Sequence, residues 1–253
     1  MVFWTYAGGG EVGILDIFGG GSGPDKARKL RAKVTQKYGD PTSRQKAISQ
    51  LGEMKIPEAI GSLLARFTIT VEPLTTDADE KDHVFELISS RGSSAVEAVK
   101  EFLRTTDSSS SWAVRLLSTL LPEPELIGVC VEFLHQLGST YTRNPEKKIV
   151  LIQALGGKDD PRIAPVLLPF LEDMSDDVKI AALTGLGRLK HEPAREPMLK
   201  LLTAEDTARR VQTAAINALH ESGLGVQGYR EKVESLISEP YFVDKSGLLK
   251  KRG

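Results

Sequence analysis

Residues 161–189 contain two short apolar segments separated by an acidic turn. In the second segment, which runs from Val178 to Leu189, apolar residues recur three and four positions apart. This is the spacing of an amphipathic helix. Two helices of this length cannot bury their apolar faces unless similar helices lie on either side. The stretch therefore predicts a stack of helix pairs in which each pair covers the next.

Similar segments recur along the chain. Leu186 marks the second segment of one repeat, and the residues at the equivalent position of the other repeats are Leu51, Leu87, Leu120, Leu155 and Leu219. From Leu51 onward, successive markers lie 36, 33, 35, 31 and 33 residues apart. The repeats assigned around Leu87 and Leu120 are supported only by this period. A period in the low thirties with two helices per repeat predicts an all-α fold, an α-solenoid of about six antiparallel helix pairs.

The sequence LLPFLEDMSDDVKIAALTGLGRL resembles a HEAT repeat, specifically the short bacterial type that also occurs in phycobilisome lyases. In this comparison residues 167–171 match the first helix, Asp173 and Asp176 match the turn, and Leu186-Gly187 match the end of the second helix. The resemblance covers most of residues 40–222. It implies the fold, but it says almost nothing about activity, because one fold serves many functions.

The two ends of the chain differ from the repeats. Residues 1–24 contain eight glycines and no Lys or Arg, which predicts a flexible tail; the alternative is that residues 14–18 dock on a partner. Residues 25–238 are predicted to form the HEAT-like solenoid, with a capping helix over 227–238. Residues 239–253 are predicted to be a C-terminal tail whose last basic side chains are free, namely Lys250, Lys251 and Arg252.

Prolines predict helix starts and kinks. In Asp40-Pro41, the Asp side chain can cap a helix and Pro suits the first helical position. The same pattern recurs at Asn144-Pro145 and Asp160-Pro161. Pro165, Pro169 and Pro197 fall inside first helices, where each should remove a hydrogen bond and bend the helix. Residues 68–78, which contain β-branched residues and a proline, are predicted to be a long loop.

Composition excludes several classes of function. The formal net charge is −1, so overall charge favours neither nucleic acid nor an anionic membrane. The single cysteine, Cys130, excludes an intramolecular disulfide, and its apolar helical context predicts a buried, unreactive thiol. The four histidines form no HExxH pattern, and no GxSxG or phosphate-loop motif is present. We therefore expect a cytoplasmic protein with no enzymatic activity, no cofactor and no membrane span.

Basic side chains are the candidate partner-binding residues. They lie in the acid-free segment 26–37 and near equivalent positions of the second helices: Lys26, Lys29, Arg31, Lys33, Lys148, Lys179, Arg209 and Arg210. Arg44 occupies the same position in the first repeat. The second-helix set would form a ladder if the repeats stack. We favour the interpretation that its members pair with turn aspartates of adjacent repeats, as the HEAT resemblance implies. The alternative is that they form a cationic stripe on the concave face.

These observations favour an interaction scaffold that binds another protein through its concave face or its basic end helix. A nucleic-acid-binding protein similar to a DNA glycosylase is the alternative, because one bacterial HEAT-like family excises alkylated bases. That chemistry needs a basic channel and aromatic side chains against the flipped base. Trp112 is the only tryptophan in the repeats, so nucleic acid is not the expected partner. A bilin lyase-like enzyme is implied only by the repeat subtype.

Overall fold

The computed structural model describes residues 22–252, so all of the predicted Gly-rich tail except residues 22–24 lies outside it. The chain divides into two compact units, the first ending at Ile88 and the second beginning at Ser89. Among the described residues, no helix is long and apolar enough to cross a membrane.

Four α-helices and a 3-10 segment account for the first unit. They are α1 Gly23–Val34, α2 Pro41–Glu53, α3 Pro57–Leu64, the 3-10 segment Ala65–Thr68, and α4 Leu74–Ser89. Helices α1, α2 and α3 pack against one another. Helix α1 begins before the predicted residue 25, because the Ser22 hydroxyl accepts a hydrogen bond from the Asp25 backbone N–H at 3.4 Å. The Asp40 cap of α2 is confirmed, since its carboxylate accepts from the Thr42 N–H at 3.0 Å.

The loop predicted over residues 68–78 is shorter than expected and spans only residues 69–73. It ends early because Asp77, in the first turn of α4, binds both the loop itself and the segment that precedes it. The Asp77 carboxylate accepts from the Val71 backbone N–H at 3.0 Å and from the Arg66 guanidinium at 2.8 Å. The long-loop prediction is therefore wrong for residues 74–78, which are helical.

The second unit contains nine helices and a hairpin within its described residues. These are α5 Val96–Thr105, α6 Ser110–Leu120, α7 Glu123–Leu137, α8 Glu146–Leu155, α9 Ile163–Leu167, α10 Asp176–Leu189, α11 Arg195–Thr203, α12 Arg209–Ser222, α13 Arg230–Leu236, β1 Tyr241–Val243 and β2 Leu249–Lys251. The helices pair in chain order, and the second helices α6, α8, α10 and α12 each contact the next. This arrangement confirms the predicted all-α solenoid.

Of the three prolines predicted to bend first helices, only Pro169 lies where the α-helical conformation changes. Pro169 lies in a 3-10 segment, Leu168–Glu172, which directly follows the short α9. Pro165 and Pro197 are the third residues of α9 and α11, where a backbone N–H has no acceptor within the helix in any case. The kink predicted at these two positions is therefore wrong, because neither proline removes a helical hydrogen bond.

Helices α10 and α12 approach each other closely at Gly187. A Cβ atom at this position would lie 2.9 Å from the Ala218 Cα and 3.3 Å from the Ala218 carbonyl oxygen. Both are backbone atoms, so the contact cannot be relieved by a side-chain rotation. A glycine at position 187 thus sets the distance between two successive second helices.

The C-terminal residues form an antiparallel hairpin instead of the predicted tail. Strands β1 and β2 pair with Tyr241 opposite Lys251. The hairpin packs back on α12, because the Tyr241 hydroxyl donates to the Asn217 side-chain oxygen and the His220 Nδ1–H donates to the Leu249 carbonyl at 3.0 Å. The capping helix α13 is correspondingly shorter than predicted.

Two of the three basic residues expected to be free at the C-terminus have partners. The Arg252 guanidinium lies 2.7 Å from the Glu239 carboxylate, and the Lys251 ammonium lies 5.8 Å from the centre of the Tyr241 ring. The pairing of the two strands brings these groups together. The sequence analysis predicted a tail with no hairpin, so it did not predict these contacts.

Candidate functional site: a groove between second helices

An open groove of about 510 Å³ runs between α8 and α10. Its floor consists of Ile149, Ile152, Ile180 and Ala181. Ile149 and Ile180 are only half-buried, whereas Ile152 and Ala181 are buried. The groove therefore leaves apolar surface in contact with solvent on the second-helix face.

The rim of the groove is polar and carries charge at both ends. Gln153 and Thr184 are exposed along the two helices. Asp177 lies at the start of α10 and Arg188 near its end, which places them about 16 Å apart along the helix. Arg188 is exposed and makes no hydrogen bond or ion pair with any described residue. An apolar floor with a polar rim can hold an apolar segment and orient it by charge.

Lys148, predicted to bind a partner, is buried. Its ammonium lies 2.6 Å from the Asp173 carboxylate, and the two side chains are only 1% and 2% exposed. The ammonium also donates to the Thr140 carbonyl at 2.5 Å. The partner-binding prediction is therefore wrong for Lys148, because a fully paired, buried ammonium is not available to another molecule. Here the favoured interpretation of the ladder, pairing with a turn aspartate of the next repeat, is correct.

The other predicted members of the ladder do not form one stripe. The Arg210 guanidinium, 55% exposed, pairs with Asp176 and Asp177 of the preceding repeat. Arg209 is exposed. Lys179 is half-buried and lines a separate cavity of about 270 Å³ beside Lys200.

The basic residues predicted in the end helix are all on the surface. Lys26, Lys29, Arg31 and Lys33 are exposed on α1, in the first unit. None of the four forms an ion pair with a described residue.

A buried ion network in the first unit was not predicted. The Glu80 carboxylate lies 2.6 Å from the Arg44 guanidinium and 2.9 Å from that of Arg66, while Arg66 also pairs with Asp77. Burial opposes ionisation of Asp77, but hydrogen bonds from Lys81, Arg66 and the Val71 N–H outweigh it, so the pKa of Asp77 lies below its usual value. The sequence signal for this network was Arg66, which lies within the apolar run AIGSLLARF. A charged side chain in such a run must pair with a buried group of opposite charge.

The groove residues were also missed by sequence reasoning. Ile149 and Ile180 are 31 residues apart, the same step as between the markers Leu155 and Leu186. Apolar residues at equivalent positions of two repeats were the signal. This signal alone does not identify a groove, because a helical apolar pattern does not separate core residues from those that line a groove.

Two kinds of reactive site can be checked in the described residues, a metal cluster and a reactive thiol. Within residues 22–252, no group of three or more His, Cys, Asp and Glu side chains could hold a metal ion. Burial raises the pKa of the Cys130 thiol to about 12, which agrees with the prediction of an unreactive cysteine.

A family model described as HEAT repeats matches residues 131–220 and 164–239 of the chain. Residues 131–239 contain HEAT repeats. The groove lies within them, between the second helices of two successive HEAT repeats. The short bacterial subtype stays a prediction.

Other comparisons add little to the HEAT assignment. No curated protein sequence matches the chain. Among solved structures, human deoxyhypusine hydroxylase in complex with glycerol is 14% identical, with 84% of this chain and 93% of that chain covered and a TM-score of 0.33. At this score the similarity supports no conclusion about the HEAT-repeat chain.

Proposed function

We propose that the chain is a non-enzymatic interaction scaffold that binds another protein in the groove between α8 and α10. The observation that carries the proposal is the half-buried pair Ile149 and Ile180 on the groove floor. Stacked repeats build extended surfaces that commonly serve as binding sites. The exposed basic face of α1 is a second surface available to a partner.

The shape of the groove favours a protein segment over a small molecule. All of its lining residues come from α8, α10 and the residue that ends α8, so the groove has two walls and an open top. Small-molecule sites usually enclose most of the ligand surface. A helix laid in a groove, by contrast, leaves one face in solvent.

Charge restricts the partner segment further. Asp177 is already paired with Arg210, whereas Arg188 at the other end has no partner among the described residues. A segment with apolar side chains and one carboxylate near Arg188 would complement both the floor and the rim. The proposal therefore names an apolar segment that carries a carboxylate at one end.

The test is affinity capture from lysate of the cells that produce the protein, with wild type and two variants. Ile180→Asp places a charge on the groove floor. Met174→Asp is the matched control, because Met174 is 72% exposed in the turn before α10 and does not line the groove. Circular dichroism and thermal unfolding establish that both variants are folded.

The proposal predicts that wild type and the Met174→Asp variant recover the same protein in stoichiometric amount and that the Ile180→Asp variant loses it. Equal recovery by both folded variants would place the binding surface elsewhere. Repeated failure of wild type to recover any stoichiometric protein would contradict the scaffold proposal itself.

A further inference from the structure

The net charge of −1 conceals a strong local imbalance at α1. Residues 22–37 carry six basic side chains and a single acid, Asp25, which gives this segment a local charge of +5. The six are Lys26, Arg28, Lys29, Arg31, Lys33 and Lys37, and all of them are exposed. Arg28 lies 3.6 Å from Asp25, with its side chain 79% exposed.

Helix α1 uses only a narrow face for packing. Its buried residues are Ala27, Leu30 and Val34. At 3.6 residues per turn, these three fall within an arc of roughly 60° around the helix axis. The rest of the circumference is turned away from α2 and α3, so α1 forms an exposed ridge on the first unit.

The basic side chains lie on both flanks of this ridge. Lys26, Lys29 and Lys33 share one flank, and Arg28 and Arg31 share the other, roughly 160° away around the axis. The small residue Ala32 lies at the crest between them, and Asp25, seven residues earlier, lies on nearly the same line of the helix. The charges on the two flanks are therefore about one helix diameter apart, about 10–12 Å.

Two rows of cations on opposite flanks are complemented most fully by an anionic partner that contacts both flanks. A flat membrane surface meets a helix from one side, and interfacial helices insert apolar side chains, whereas those of α1 are packed in the protein core. A single acidic peptide would reach one row. The major groove of B-form DNA is about 12 Å wide and has phosphates on both edges.

We propose that α1 lies in the major groove of duplex DNA and that its two basic flanks contact the phosphates of the two strands. Ala32 presents no hydrogen-bonding group to the base edges, and the Asp25 carboxylate on the same crest already accepts from the Ser22 hydroxyl and pairs with Arg28, so this binding is independent of sequence. It concerns a surface separate from the α8–α10 groove and is independent of the protein partner proposed there.

The test is fluorescence anisotropy of the full chain with labelled 20-base-pair duplexes of two unrelated sequences, at salt concentrations from 50 to 200 mM. If five cations contact phosphates, affinity should fall roughly 500-fold across this range, since each contact contributes about 0.9 to the logarithmic salt slope.

The Lys26→Gln/Lys29→Gln/Lys33→Gln variant should lower the salt slope by about 3, and Arg28→Gln/Arg31→Gln by about 2. The matched control is Lys232→Gln/Lys245→Gln/Lys250→Gln, three exposed lysines of the second unit.

The proposal predicts equal affinity for both duplexes, loss on neutralising either flank, and no change for the control. Four results would overturn it: no binding at 50 mM salt, a dependence on one flank only, an equal loss in the control, or tighter binding to poly-glutamate or to phosphatidylserine vesicles than to duplex. The last result would assign α1 to an acidic protein or to a membrane surface. Because glutamine keeps helix propensity and all five positions are exposed, circular dichroism should show unchanged helix content.

Discussion

The Lys148 ammonium lies 2.6 Å from the Asp173 carboxylate, and this buried pair joins α8 to the turn that precedes α10. It connects two successive repeats. Arg210 makes the corresponding connection between the next two repeats through Asp177, but at the surface. Ion pairs between successive repeats thus occur both in the interior and in solvent, which allows their energetic contributions to be compared within one protein.

Replacing Lys148 with Met should lower the free energy of unfolding by about 3–5 kcal/mol, because the buried Asp173 carboxylate would lose its cation and keep only the hydrogen bond from the Ser175 N–H. Replacing Arg210 with Met should cost less than about 1 kcal/mol, because solvent screens that pair. Urea denaturation of both variants measures the difference. Equal losses would show that burial does not control the strength of these connections.

Asp77 should make the stability of the first unit sensitive to acid. Its folded-state pKa lies below the usual value of 3.8, so its ionised form stabilises the fold above that value. This contribution is lost as the pH falls through the folded-state pKa.

The Asp77→Asn variant should be less stable at pH 7 and should show a shallower loss of stability between about pH 4 and pH 2. Thermal unfolding across this range is the measurement. Asp79→Asn is the control, since Asp79 is exposed on the same helix, and it should reproduce the wild-type profile. A wild-type slope in the Asp77→Asn variant would remove Asp77 from the acid response.

Gly187 and Gly185 offer a matched test of close helix packing. An added Cβ at position 187 meets backbone atoms of Ala218, whereas at position 185 it meets only the flexible end of Leu167, at 2.7 Å. Gly187→Ala should destabilise the protein by about 1–3 kcal/mol. Gly185→Ala should be near neutral, because the gain in helix propensity, about 1 kcal/mol, offsets the displaced side chain. Thermal unfolding of the two variants distinguishes these outcomes, and a neutral Gly187→Ala would contradict the close α10–α12 contact.

Cys130 should not react with a thiol reagent in the folded protein. With a pKa of about 12, only about one thiol in ten thousand is ionised at pH 8, and the sulfur is also buried. Titration with Ellman's reagent should give no fast reaction in buffer and one thiol per chain in urea. Rapid reaction of the native protein would show that α7 opens readily.

The stacking of the second unit was predictable because the apolar spacing and the period repeat several times. Residue types alone did not reveal which cations are buried. Lys148 and Lys179 occupy equivalent repeat positions, yet of these two lysines only Lys148 forms an ion pair with an aspartate. Pairing depends on the path of the following turn, and the period does not specify that path. The hairpin was missed for a similar reason, since its strands are three residues long and are held by contacts with α12.

The groove between α8 and α10 is tested most directly by site-specific photo-crosslinking in the producing cells. A photo-reactive amino acid at position 153, on the exposed rim, should give one discrete crosslinked protein, and the same group at position 174, outside the groove, should not. Acidic substitution of Ile180 should abolish the product at position 153. The same products from both positions, or none at position 153, would contradict the account.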